Sequence, residues 1–180
     1  MGGGLREPNV ASFDEEGRLR SLGAYWQSHA ADGHLPGQDI VDPLALRAWL
    51  GQLLLVEVLG NDFKYRIYGT AVAETFGVDM TGRSPQGFPP HHVEIIVGPY
   101  RAVATDGKPR YTAHILTIQE RKFAAWERII LPIAGANGKV GQLLVGLHRV
   151  RVIDYARYLA SLDAAGIVPA ITSEPEDAFL

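Results

Sequence analysis

A strand that runs directly into a short helix ending at a glycine constrains the fold of this chain more than any other feature. The sequence FKYRIY, which starts at Phe63, alternates between two kinds of side chain in the way of a strand with two different faces. This alternation predicts that Phe63, Tyr65 and Ile67 share one face. Apolar residues then recur at helical spacing over 70–76, and Gly77 stands where a left-handed C-cap is expected. A strand and a short helix in this order can form one wall of a binding pocket.

Composition and charge exclude several classes of protein. The 180 residues, 47% of them hydrophobic and 21% charged, are enough for one domain with a sizeable core. A net charge of −3, with no stripe of Lys and Arg, gives no electrostatic reason to expect a nucleic-acid partner. The absence of cysteine excludes disulfides, Cys-ligated zinc and flavin–cysteinyl photochemistry. The chain shows no apolar run typical of a transmembrane helix or a signal peptide, so we expect a cytoplasmic protein without a membrane partner.

Helical and strand signals follow one another in a definite order along the rest of the chain. We expect helices over about 18–33, 42–51, 91–106 and 154–166, and further strands over 53–59, 110–119, 124–133 and 139–150. The third of these helices contains Gly98-Pro99, and the proline should kink it because proline removes a backbone hydrogen bond. A tight turn at residues 60–62 should join two antiparallel strands as a hairpin.

The element order predicts an α+β fold. Two strands, a helical block and three strands favour a five-stranded antiparallel sheet with helices on one face and flanking N- and C-terminal helices. We expect residues 1–17 to be a flexible N-terminal arm, residues 18–166 to be a single domain, and residues 167–180 to be an acidic C-terminal tail.

Short motifs spread over most of the chain resemble one family. In order they are Leu35-Pro36, Asp39-Ile40, Asp42-Pro43, Leu53-Leu54-Leu55-Val56, Gly69-Thr70, Phe76-Gly77, Thr81-Gly82-Arg83, Gly107-Lys108-Pro109 and Glu127-Arg128-Ile129-Ile130-Leu131-Pro132-Ile133. Their order and spacing, from about Leu19 to Val150, resemble a bacterial, mostly alphaproteobacterial family of PAS-like domains. The resemblance implies a sensory or interaction module with an interior ligand pocket, often dimeric through an N-terminal helix. It transfers no functional residues.

Seven residues are candidates for the wall of such a pocket: Tyr65, Ile67, Phe76, Val97, Tyr100, Arg128 and Ile130. Tyr111 and Trp126 could join the aromatic part of the wall, although aromatic side chains at such positions can equally be plain core. The planar guanidinium groups of Arg66 and Arg128 would suit a ligand carboxylate. The alternative for both is the outer face of the sheet, or an ion pair with Glu57 or Glu127.

Two adjacent histidines, His91 and His92, open the longest predicted helix. Neutral imidazole is a good iron ligand, so an axial role towards haem is one hypothesis. The alternative, which we favour, is a polar helix start exposed to water. We expect no metal site, and the cofactor, if there is one, is unknown.

Three functions remain open after these observations. The first is a non-enzymatic sensory module that binds a small ligand and forms a homodimer. The second is a protein-interaction or localisation adaptor with a filled core. The third is a small isomerase or hydrolase on a cone-shaped α+β fold, with Asp79 and either Tyr68 or His91 as an acid–base set, although Asp79 is better explained as a turn residue.

Overall fold

The computed structural model describes residues 14, 16–31, 33–118, 121–150 and 154–174. Within these residues the helices are α1 (Arg18–His29), α2 (Thr70–Phe76), α3 (Pro90–Asp106) and α4 (Tyr155–Ala164). The strands are β1 (Leu53–Leu59), β2 (Asp62–Tyr68), β3 (Arg110–Ile118), β4 (Arg121–Ala134), β5 (Val140–Val150) and β6 (Ala170–Glu174). None of the helices in this part of the chain is long and apolar enough to cross a membrane.

All the strands form one sheet in the order β2-β1-β5-β4-β3-β6. The predicted α+β fold is confirmed, but the sheet has six strands rather than five and is mixed, because β6 runs parallel to β3. Strand β6 lies in the segment for which we predicted an acidic tail. The sequence AITSE is short and polar, and its pairing partner lies 56 residues earlier, as in His114 opposite Ala170. The N- and C-terminal limits of the domain stay a prediction.

Helices cover both faces of the sheet. On one face, α2 and α3 enclose a core with the inward side chains of β1, β2 and β5. Its members include Val56 of β1, Phe63 of β2 and Tyr100 of α3. On the other face, α1 packs Leu22 and Trp26 against β4, and the indole Nε1 of Trp26 donates to the Pro132 carbonyl at 2.7 Å. Helix α4 packs on the same face, where Tyr111 of β3 adjoins the clusters of both helices. The helical block thus lies on one face as predicted, and the two flanking helices occupy the opposite face.

Most local predictions of structure agree with the observed elements, but the helix predicted over 42–51 does not. Gly77 ends α2 with a φ of 69°, and Asp154 caps α4 by accepting a hydrogen bond from the Arg157 backbone N–H at 3.0 Å. The helix predicted over 42–51 is instead a run of turns followed by the 3₁₀ turn Leu50–Gln52. The Asp42 carboxylate accepts from the Leu44 backbone N–H at 2.9 Å, and such local bonds favour turns over a regular helix.

A β-bulge changes which side chains of β2 face the helical block. Leu55 lies opposite Ile67, whereas the next residue, Val56, lies opposite Tyr65, so Arg66 is the extra residue. As a result Tyr65 and Tyr68 are both buried, while Ile67 is 41% exposed. The strict alternation predicted from the sequence fails at this point.

Candidate functional site

A cavity of about 270 Å³ lies between the sheet and the helices α2 and α3. Most of its wall is apolar, formed by Leu54, Tyr68, Phe88, Ile96, Leu116 and Leu147. Pockets for drug-sized ligands have volumes of roughly 300–1,000 Å³, and an apolar cavity of about 150 Å³ already admits benzene. The volume therefore suits a ligand with one ring and a few further atoms.

Four of the seven predicted pocket residues line this cavity: Tyr65, Phe76, Tyr100 and Arg128. Val97 and Ile130 are buried in the same core, with 1% and 0% exposure, but they do not border the cavity. Ile67 does not line it either, because the bulge turns this side chain to the opposite face and brings Tyr68 to the wall instead. That any of these residues binds a ligand stays a prediction.

Arg128, on β4, places a charged group in the wall of the cavity. The residue is 7% exposed, and its Nε donates to Thr112 Oγ1 at 2.9 Å. Its guanidinium carbon lies 5.7 Å from the centroid of the Tyr100 ring. Among the residues that the structure describes, no carboxylate lies within 4.0 Å of this guanidinium.

The predicted alternative of an ion pair between Arg128 and Glu127 is wrong, because these neighbours on β4 point to opposite faces. Arg66, by contrast, pairs with Glu57 at 2.7 Å outside the cavity.

A proline in α3 explains how Arg128 is held. In a regular helix the N–H of residue 99 would donate to the carbonyl of Ile95, but Pro99 has no N–H. Arg128 Nη2 donates to this carbonyl at 2.9 Å. Pro99, at which a kink was predicted, therefore leaves the Ile95 carbonyl free as an acceptor in the middle of the helix. This carbonyl holds the Arg128 guanidinium at the wall of the cavity. Because the pairing is tertiary, the sequence pattern alone did not indicate it.

Two buried tyrosines accompany the guanidinium at the same end of the cavity. The Tyr65 and Tyr100 hydroxyls influence each other's pKa, and the Arg128 guanidinium lies over the Tyr100 ring. Burial raises the pKa of Tyr100, and it raises the pKa of Tyr65 well above its ordinary value. Both hydroxyls are therefore protonated at neutral pH. The polar end of the cavity thus presents one positive charge and neutral hydroxyl groups.

An aromatic pair borders the cavity at its exposed side. Phe76, the last residue of α2, is 42% exposed and stacks on Trp126 with ring centroids 5.4 Å apart. A side chain that both lines a cavity and contacts solvent marks its mouth. Trp126 precedes Arg128 by two residues on β4, so the two share a face. The sequence indicated Trp126 only as part of an aromatic wall or of the core. Its position two residues before Arg128 was the signal that the two side chains share a face of the sheet.

The two predicted histidines take different positions at the start of α3. His91 is exposed, whereas His92 lines the cavity with its ring centroid 5.7 Å from that of His114. No group of three potential metal ligands occurs within the described residues. A porphyrin has four pyrrole rings, whereas a cavity of about 150 Å³ holds a single benzene ring. The cavity of about 270 Å³ therefore does not fit haem.

Of the acid–base set considered for an isomerase or hydrolase, Tyr68 borders the cavity and Asp79 is not among its lining residues. Asp79 is exposed, and its Oδ1 accepts hydrogen bonds from the backbone N–H of Thr81 at 2.8 Å and from the Thr81 hydroxyl at 2.7 Å. These bonds lower the pKa of Asp79, which is the behaviour of a turn residue. Of the described residues that border the cavity, none carries a carboxylate.

Glu127, which sequence reasoning treated only as an ion-pair partner, connects both ends of the domain. It is fully buried on the face opposite the cavity, where Oε1 accepts from the Tyr158 hydroxyl of α4 at 2.8 Å. Its Oε2 accepts from the backbone N–H of Asp14 at 2.8 Å, and Asp14 in turn caps α1 by accepting from Leu19 N–H at 2.9 Å. Burial raises the pKa of Glu127 to about 7, although the two hydrogen bonds lower it.

Comparison with known proteins gives one match over most of the chain. A family model described as "PAS domain" matches residues 15–148, which is more than half of the chain. No curated protein is significantly similar in sequence.

Several solved structures are similar at low identity. The PAS domain of BvgS from Bordetella pertussis is 16% identical, with 68% of this chain and 92% of that chain covered and a TM-score of 0.47. A PAS domain from Colwellia psychrerythraea is 14% identical over 61% of this chain and 98% of that chain, with a TM-score of 0.41. A light-oxygen-voltage domain studied with a flavin analogue is 14% identical over 71% and 97%, with a TM-score of 0.48. At these scores the neighbours indicate nothing about the ligand.

Proposed function

The chain belongs to the PAS domain family, and from this premise we propose that it is a non-enzymatic sensory module that binds a small ligand in the cavity beneath α3. The observation that carries the proposal is the position of Arg128, a buried charge in the wall of an otherwise largely apolar cavity. Specific small-molecule sites combine apolar walls with a few placed polar groups. The cavity has both parts.

The signal would pass through β4. A ligand held by Arg128 would contact the cavity side of this strand. On the other side of the sheet, the neighbouring Glu127 accepts hydrogen bonds from Asp14 and Tyr158. Occupancy of the cavity would bias the packing of α1 and α4 on the sheet. The ligand can shift this equilibrium only by its difference in affinity for the two packings.

We further propose that the protein is a cytoplasmic homodimer. The last strand in the sheet order, β6, carries Ile171 with 54% exposure, and Val168 just before it is 92% exposed. An edge strand with exposed apolar side chains in it and beside it is a natural place for a second chain to add. Analytical ultracentrifugation of the full chain tests this part, and a single monomeric species at about 50 μM contradicts it.

Native mass spectrometry of the purified full chain tests the ligand-binding function. We expect either a co-purifying small molecule or a bound member of a metabolite library. The variant Leu116→Phe should abolish the bound mass by filling the cavity, because Leu116 lines it and is 2% exposed. The control Ile67→Phe adds a ring of the same kind outside the cavity and should retain the bound mass. A wild-type protein that binds no small molecule under these conditions contradicts the proposal.

A protein-interaction adaptor is the second candidate. It is favoured by a cavity near the lower size limit for ligand pockets and by exposed apolar side chains such as Leu44, which is 70% exposed. The same experiment separates the two functions, since an adaptor with Leu116→Phe should keep its partner binding unchanged.

A further inference from the structure

We propose that the ligand is a small monocyclic aromatic carboxylate whose acid group binds Arg128. This inference rests on the proposed ligand-binding function and adds the chemical class of the ligand. It is carried by the charge at one end of the cavity, by the apolar wall over the rest, and by the volume.

The charge at Arg128 needs an anion. Buried charged groups in proteins are paired or hydrogen-bonded, because removing an ion from water is costly. The five N–H donors of a guanidinium are only partly used here, by Thr112 Oγ1 and the Ile95 carbonyl. No carboxylate of the described residues is within ion-pair distance of Arg128. A ligand anion beside the remaining donors would complete both the charge balance and the hydrogen bonding.

The number of charges favours a carboxylate over a phosphate ester. Among the described residues that line the cavity, Arg128 is the only Lys or Arg, and with His92 and His114 neutral one negative charge balances it. A phosphate monoester carries about −1.5 to −2 at neutral pH and would leave uncompensated charge in a mostly apolar cavity. The hydroxyls of Tyr65 and Tyr100, which are neutral because burial raises their pKa, add no second charge to this end of the cavity.

The remaining wall favours a flat apolar body. Tyr65 and Tyr68 pack edge to face with ring centroids 5.1 Å apart, and Phe76 stacks on Trp126 at the mouth. Aromatic rings pack favourably with one another in offset-stacked or edge-to-face geometry. Benzene needs about 150 Å³, which leaves room within about 270 Å³ for a short acidic chain on a single ring.

Isothermal titration calorimetry of the full chain with matched acid and amide pairs tests this proposal. The probes are phenylacetate with phenylacetamide, and 3-phenylpropionate with its amide. Each acid should bind wild-type protein at least about 10-fold more tightly than its amide, given the strength of charge-assisted hydrogen bonds. Arg128→Met should remove this preference. The control Arg66→Met should keep it, because Arg66 pairs with Glu57 outside the cavity.

The outcomes separate this inference from the function on which it rests. Amides that bind as tightly as their acids overturn the carboxylate and leave ligand binding standing. Phenyl phosphate that binds more tightly than either acid overturns it in the same way. If neither acid binds, the inference fails, and a co-purified neutral ligand then shows that the function survives. If Arg128→Met does not fold, the acid-to-amide ratio of the wild type and of Arg128→Lys decides; Arg128→Lys should weaken acid binding more than amide binding, because lysine lacks the planar fork.

Discussion

Arg128 and Glu127 are neighbours on β4, and their side chains lie on opposite faces of the sheet. Arg128 borders the cavity and donates to the Ile95 carbonyl of α3, whereas Glu127 accepts hydrogen bonds from Asp14 and Tyr158. One peptide unit therefore joins the candidate ligand site to the residues that cap α1 and anchor α4. A displacement of β4 by a ligand would change the contacts on both faces of the sheet, because successive side chains of a strand alternate between the faces.

The buried carboxylate of Glu127 should make the stability depend on pH. Its pKa is raised to about 7 in the folded chain, from an ordinary value of 4.5. The folded state then holds this proton more tightly than the unfolded state, so the stabilising contribution is fully present below about pH 4.5 and is lost as the pH rises through about 7. Between pH 5.5 and 8 the free energy of unfolding should fall by about 2 kcal/mol more in wild type than in Glu127→Gln.

Urea denaturation at several pH values measures this difference. Glu57→Gln is the matched control, because Glu57 pairs with Arg66 on β2 and makes no contact with Asp14 or Tyr158. Parallel pH profiles for wild type and Glu127→Gln would show that Glu127 is ionised over the whole range.

The β-bulge predicts that two adjacent residues of β2 differ strongly in their contribution to stability. Tyr68→Ala should lower the free energy of unfolding by about 2–4 kcal/mol, because it removes a buried aromatic ring. Ile67→Ala should cost less than about 1 kcal/mol, because Ile67 is 41% exposed. Chemical denaturation of both variants measures the difference. A larger loss for Ile67→Ala would mean that β2 alternates regularly and has no bulge.

Pro99 should matter for ligand affinity more than for folding. In Pro99→Ala the new N–H competes with Arg128 for the Ile95 carbonyl, so the guanidinium loses part of its anchor. We expect roughly a 3- to 10-fold weaker affinity for the aromatic acids, corresponding to about 1 kcal/mol. The free energy of unfolding should stay equal or rise, since proline is a poor helix residue. Calorimetry and denaturation of the same sample measure both, and unchanged acid affinity would show that the Ile95 carbonyl does not position Arg128.

Two glycines flanking α2 should respond differently to a methyl group. At Gly77 the cost comes from its φ of 69°, and an added Cβ meets nothing within 4 Å, so Gly77→Ala should cost about 1 kcal/mol. At Gly69 an added Cβ would lie 2.7 Å from the Gly51 carbonyl carbon and 2.9 Å from the Leu53 carbonyl oxygen. Gly69→Ala should therefore cost at least about 2 kcal/mol, because backbone on the neighbouring segment must move. Thermal or urea denaturation ranks the two variants, and an equal or smaller loss for Gly69→Ala would contradict this contact.

Local signals were sufficient for most elements. The hairpin of β1 and β2, the end of α2 at Gly77 and the start of α4 at Asp154 agree with the predictions, because a turn, a C-cap and an N-cap depend on a few consecutive residues. The turns over 43–49 were misread as a helix because the same side chain, Asp42, can cap a helix or form a local turn.

For the candidate site, residue type indicated Tyr65, Phe76, Tyr100 and Arg128, all of which line the cavity. Ile67 was assigned to the wrong face because a bulge is set by the register of β2 against β1, and the sequence of β2 alone carries no sign of it. The hydrogen bond from Arg128 to the Ile95 carbonyl was invisible for a similar reason, since the two residues are 33 positions apart.

The sequence by itself determined the fold class, most of the order of the helices and strands and the chemical types available for a pocket, because periodicity, caps and turns act over a few residues. Only the tertiary structure decided that β6 joins the sheet, that Tyr68 replaces Ile67 at the cavity, and that Arg128 is buried in its wall beside the carbonyl left free by Pro99. The physical reason is that each of these three features depends on which distant segments pack together. That packing depends on the whole chain and not on a few consecutive residues.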